Sequence, residues 1–119
     1  MRIDEAIAEV DRIRAANTMD TGAKVRCLET VDRYVALEVM GAGIDDFTAY
    51  DVEDTSRVLL VPPPYDELYV HRLEAQIYYE QGEIKKYANS MALYNQAMNE
   101  YRAYYVRTHK PQTGRTVWF

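Results

Sequence analysis

His71 and Glu74 stand three residues apart, a spacing that brings an imidazole and a carboxylate onto one face of a helix. Such a pair can move a proton or offer two ligands to a metal ion. A protein metal site normally gathers three or four such groups, and the only other histidine is His109, far along the chain. The pair therefore reads as a surface ion pair, and no metal or cofactor is expected. Cys27 is the single cysteine. It has no neighbouring histidine and falls in an apolar helical register, so it reads as a small buried side chain rather than a nucleophile. One cysteine excludes an internal disulfide and fits a reducing compartment. Gly41-Ala42-Gly43 lacks the Lys-Ser or Lys-Thr of a phosphate loop, and acids follow it instead. Asp45/Asp46 and Glu53/Asp54 are paired carboxylates whose spacing does not match a calcium loop. No set of nucleophile, base and orienting group can be assembled, and an enzyme is not expected.

Charge narrows the partners further. The 119 residues carry a formal net charge of −5, which argues against free nucleic acid as a direct partner. The charge is uneven. Residues 44–55 hold Asp45, Asp46, Asp51, Glu53 and Asp54 and no base, whereas residues 101–119 hold Arg102, Arg107, Lys110 and Arg115 and no acid. The two segments can attract each other within a chain or between copies, or stand as separate solvated surfaces. The bases interleaved with aromatics at 101–107 read as helix-end charges around a tyrosine stripe. No stretch is long and apolar enough for a membrane span, and the first residues, MRIDEAIAEVDRIR, lack the apolar core of a signal peptide.

The elements that position these groups are helical. Ile3, Ala6, Val10 and Ile13 predict a first helix over 3–15. Asp20 is a plausible N-cap for a second, 21–40, with Val25, Leu28, Val31, Val35 and Val39 on its apolar face and Gly41 or Gly43 ending it. Residues 44–57 form an acidic loop in which Phe47 and Tyr50 are expected to pin the loop to the core. Val58-Leu59-Leu60-Val61, stopped by Pro62, Pro63 and Pro64, is expected to be extended, as an edge strand or a buried linker. A third helix over 66–81 carries Leu68, Tyr69, Leu73, Ile77 and Glu80 along one stripe. Gly82 then leads into a fourth, 83–107, and a connection this short predicts an antiparallel hairpin. The whole reads as an all-α bundle of about four helices with one short extended segment at 58–61. A helical domain spans 1–108, and an extended C-terminal tail spans 109–119.

The fourth helix carries the most regular pattern. Ile84, Tyr87, Met91, Tyr94, Met98, Tyr101 and Tyr105 alternate steps of three and four over three heptads. Tyrosine buries a ring and keeps a polar tip, and methionine fills irregular gaps, so the stripe reads as a packing surface. It faces either the other helices of the monomer or a second copy. In the tail, Trp118 and Phe119 are expected to dock on the core or to meet a partner.

The stretch PPPYDELYVHRLEAQIYYEQGEIKKYANSMALYNQAMNEYRAYYVRTHKP, residues 62–111, resembles the C-terminal half of a family of small head–tail connector proteins of tailed phages and prophages of Gram-positive hosts. The matching residues are Pro64, Tyr65, Asp66, Glu67, Leu68 and Tyr69, then Ala75, Gln76, Ile77, Gly82, Glu83, Tyr87, Asn89, Ser90 and Met91. Leu93, Asn95, Ala97, Tyr104, Tyr105, Arg107, Thr108 and His109 complete them. KVRCLETVDRYV, 24–35, is similar to that family's first-half signature, with Cys27 where a larger aromatic is expected.

The resemblance implies a helical virion subunit that assembles as a ring, typically about twelve copies, beneath the portal protein. Such a ring extends the DNA channel without gripping DNA and offers a platform to the next connector or tail-completion protein. It implies no cofactor and no membrane, synthesis in the host cytoplasm, and a final place at the head–tail interface of the virion. The expected contacts with a neighbouring subunit or the portal are Tyr105, Arg107, His109, Arg115, Val117, Trp118 and Phe119. The alternative reading is a small prophage interaction or regulatory protein dimerising through the 84–105 seam.

Overall fold

In a computed structural model, which describes residues 1–14 and 16–109, the spacing of Ile3, Ala6 and Val10 becomes the buried face of α1, Ile3–Ile13. The Glu5 carboxylate accepts the Arg2 backbone N–H at 2.8 Å and so satisfies one of the free donors at the helix start. The helix stops at Ile13, two residues short of the expected end. Asn17 supplies the reason. Its side-chain amide donates to the Arg14 carbonyl at 2.6 Å and to Asp11 at 3.0 Å, taking over an acceptor that a further turn would have used.

Asp20 caps the second helix, α2, Thr21–Tyr34, by accepting the Ala23 N–H at 2.7 Å. The expected α-helix to residue 40 is not regular to its end. Val35–Val39 forms one π-helical turn, with the Met40 N–H donating to the Val35 carbonyl at 2.9 Å. Gly41 then reverses the chain at φ +75°, a conformation that suits a residue without a Cβ.

Among the described residues there is no β-strand. The 58–61 segment makes a single antiparallel bridge, Arg2 with Val58. The Leu59 N–H donates to the Met1 carbonyl at 2.9 Å and the Ile3 N–H to the Arg57 carbonyl at 3.0 Å. Leu59 and Val61 point inward while Val58 and Leu60 face solvent. The segment is a linker laid across the start of α1.

The third helix, α3, spans Glu67–Glu80 and the fourth, α4, spans Ile84–Thr108. Gly82, at φ +77°, makes the turn between them. The rings of Tyr79 and Tyr87 meet at 5.5 Å beside that turn, and those of Tyr65 and Tyr104 meet at 5.1 Å at the opposite end. The two helices are therefore an antiparallel hairpin. Glu80, expected on the apolar stripe of α3, is exposed. It is the last residue of the helix and accepts a bond from the Gln76 amide instead of entering the core.

Among the described residues the fold is all-α, built from four α-helices. Its core gathers Ile3, Val10, Val25, Leu28, Val35, Leu59, Val61, Leu68, Tyr69, Leu73, Ile77, Met98 and Tyr101 from every helix and from the linker. Burial of these side chains is the main source of stability.

Candidate functional site

At the centre of the core stands a carboxylate. Asp32, on α2, has 0% of its surface exposed. One of its oxygens accepts the Tyr69 hydroxyl of α3. The other accepts the Tyr50 hydroxyl at 2.5 Å and the Leu60 N–H at 3.1 Å. The Tyr69 oxygen in turn accepts the Val61 N–H at 2.8 Å. One acid therefore ties together α2, the acidic loop, the linker and α3. Burial pushes the Asp32 carboxyl above the ordinary range, and the donors Tyr50, Tyr69 and Leu60, with the nearby Arg57 charge, only partly offset that push. Burial likewise raises both tyrosines, and the adjacent carboxylate raises them further. Buried so completely, the three side chains face protein on all sides, and what this arrangement does is position the surrounding chain.

Tyr50 is the anchor of the acidic loop. Its N–H donates to Glu29 at 3.1 Å, its carbonyl accepts from Arg26 at 3.1 Å, and Arg57 lies 4.6 Å over its ring. Phe47 packs beside it at 5.4 Å and is covered by Arg33 at 4.8 Å. Both aromatics hold the loop to the body, as their types suggested. Burial raises the Glu29 carboxyl, but bonds from Arg33, the Tyr50 N–H and Arg26 outweigh it and hold that acid below its ordinary range. The anchored loop presents Asp45, Asp46, Asp51, Glu53 and Asp54 to solvent, all exposed. Asp46 accepts the Gly43 N–H, Asp51 the Glu53 N–H and Asp54 the Ser56 hydroxyl. Among the described residues none of the five pairs with a base.

The heptad stripe of α4 divides in two. Met98 and Tyr101 are core residues, and Tyr94 and Tyr105 pack against the same core. Toward the hairpin turn Tyr87 and Met91 are half-buried, and Ile84 is 62% exposed. An open cleft lined by Ile13, Lys86, Asn89, Ser90 and Leu93 separates this half of α4 from the end of α1. Tyr79 and Leu93, 58% and 49% exposed, extend the apolar surface around the turn.

At the other end of α4, the Tyr105 ring stacks on His109 at 3.9 Å, and Arg107 lies over Tyr104 at 5.7 Å. Arg115, Val117, Trp118 and Phe119 lie outside the described residues. The expected His71–Glu74 pair does not form. Glu74 pairs instead with Arg14, just past the end of α1, at 3.1 Å, and among the described residues the enclosed His71 Nδ1 has no hydrogen-bond partner. Among the described residues no cluster of three or more histidine, cysteine or acidic side chains is placed to hold a metal ion. Cys27 is half-buried against the core, and burial pushes its thiol up, away from the reactive thiolate.

The Asp32 node is the feature that reading by residue type missed. A signal was present: Asp32 is four residues after Leu28 and three before Val35, within the apolar stripe of α2. Among the described residues no helix is long and apolar enough to cross a membrane. Comparison with protein-family models, with curated proteins and with solved structures finds no match.

Proposed function

We propose that this chain is a virion structural protein, a head–tail connector subunit that forms a ring under the portal of a tailed phage, and not an enzyme. The observation that carries the reading is the α3–α4 hairpin. It holds residues 67–108 of the segment that resembles that family, and among the described residues it leaves Tyr79, Ile84 and Leu93 exposed. Large apolar side chains left exposed along one hairpin suit a place where another protein packs. The acidic loop adds a rigidly held negative surface, which suits a channel that lets DNA pass without holding it.

On this reading the ring meets the portal protein on one side and a tail-completion protein on the other. The segment 109–119, with Arg115, Val117, Trp118 and Phe119, reaches the portal or the neighbouring subunit. Deletion of residues 111–119 tests this. The shortened chain keeps its helicity and thermal transition, and particles made with it carry filled heads without tails. Normal tail joining by the shortened chain would contradict the assignment.

A further inference from the structure

One face of α4 carries a cation that meets no acid among the described residues. Tyr34, Tyr94, Asn95, Met98, Asn99 and Arg102 line a groove of about 470 Å³ between the end of α2 and α4. The Arg102 guanidinium lies 5.4 Å over the Tyr34 ring, and among the described residues its Nε has no acceptor. No carboxylate lines the groove, and among the described residues none pairs with Arg102. Phenol, amide and guanidinium donors around an apolar floor of rings and a methionine suit an occupant with carboxylates beside a hydrocarbon side chain.

The same chain displays such a surface elsewhere. Ile44, Asp45 and Asp46 form one short helical turn at the start of the acidic loop. Ile44 is 75% exposed, unusually so for its type, and both aspartates are exposed beside it. The Tyr50 anchor holds this loop against α2, so little ordering remains to be done on docking. We propose that the Arg102 groove is the docking site for the Ile44–Asp46 turn of a second copy of this chain. Asp45 meets the guanidinium and Ile44 covers the half-buried Tyr94 ring. The contact joins two different surfaces, and a contact of that type closes into rings or runs into filaments. Its ring form rests on the connector reading; the contact itself does not.

Sedimentation velocity of the full chain at low and high salt is the test. The wild-type chain self-associates at low salt and less so at high salt, because the contact is a charge pair at a surface. Arg102→Glu and Asp45→Arg each weaken association by about tenfold, and the two reversals together restore it. A chain that stays monomeric to ~1 mM at low salt overturns the proposal. So does unchanged association in either single variant, or failure of the combined variant to recover. If Arg102→Glu loses helicity, Asp45→Arg decides alone, since Asp45 makes no bond within its own chain among the described residues. Absence of the chain from phage particles would remove the connector reading and leave this result standing.

Discussion

The Tyr50 hydroxyl donates to the Asp32 carboxylate at 2.5 Å across eighteen residues of sequence, joining the loop to the buried end of α2. Asp32 accepts from Tyr69 and from the Leu60 N–H as well, so it alone answers three donors from three separate segments. Asp32→Ala leaves all three without an acceptor and costs about 3 kcal/mol or more. Asp32→Asn keeps one acceptor but turns an N–H toward a donor, and costs about 1–2 kcal/mol. The folded-state pKa of Asp32 is raised, so its contribution is full below the ordinary aspartate value and falls as pH rises through the raised one. The gap between wild type and Asp32→Asn is therefore wider in acid than at neutrality. Denaturant titrations of both chains across that range check the sign.

Tyr69 and Tyr50 are unequal partners. Tyr69 donates to Asp32 and also accepts the Val61 N–H, whereas Tyr50 donates to Asp32 alone through its hydroxyl. Tyr69→Phe therefore strands a buried N–H and costs about 2–3 kcal/mol, while Tyr50→Phe costs about 1 kcal/mol. Combined with Asp32→Ala, each loss is less than additive, because the partners share one network. A double-mutant cycle by chemical denaturation measures the coupling.

Alkali probes the same node from the other side. Both tyrosines have raised folded-state pKa values, so the stability they contribute is full below the ordinary phenol value of about 10 and is lost as pH climbs through the raised ones. Tyr50 and Tyr69, whose hydroxyls bond to Asp32, ionise as the fold opens, and burial raises Tyr94 and Tyr101 as well. Phenolate absorbance followed together with helical circular dichroism shows a late step coincident with unfolding. In Tyr50→Phe that step shrinks.

The two halves of the α4 stripe respond differently to charge. Met98 is a core residue, and Met98→Glu puts a carboxylate among apolar core side chains, which costs about 3 kcal/mol or more and threatens the fold even with Arg102 one turn away. Ile84 is exposed, and Ile84→Glu leaves the thermal transition nearly in place. If the hairpin turn is an assembly surface, Ile84→Glu still fails to build the connector. Thermal melts and particle yield, measured on the same variants, separate the two effects.

Much of this fold is written in local pattern. The stripe Ile3, Ala6, Val10 becomes the buried side of α1, Asp20 caps α2, and the turn at Gly82 folds α3 onto α4. The ends were less readable because side chains remote from any periodic rule decide them. Asn17 takes the Arg14 carbonyl from α1, and α2 closes in a π turn before Gly41. Asp32 was hidden for a related reason. Its partners lie eighteen and thirty-seven residues away, and a buried acid makes sense only once those donors are in place. The α4 stripe shows the converse limit. Seven residues of equal periodicity share a face, but which of them find a core depends on where the linker, α2 and α3 lie along that face. Arg14 shows it in miniature: the partner of Glu74 comes from the residue after α1 rather than from its own helix.

The central claim is that the chain is a building part of a virion. Quantitative mass spectrometry of purified phage particles from the source culture, comparing this chain with the portal protein, tests it most directly. The account predicts that the chain is present at about one copy per portal subunit, as matched rings require. Its absence from intact particles that contain the portal would contradict the account.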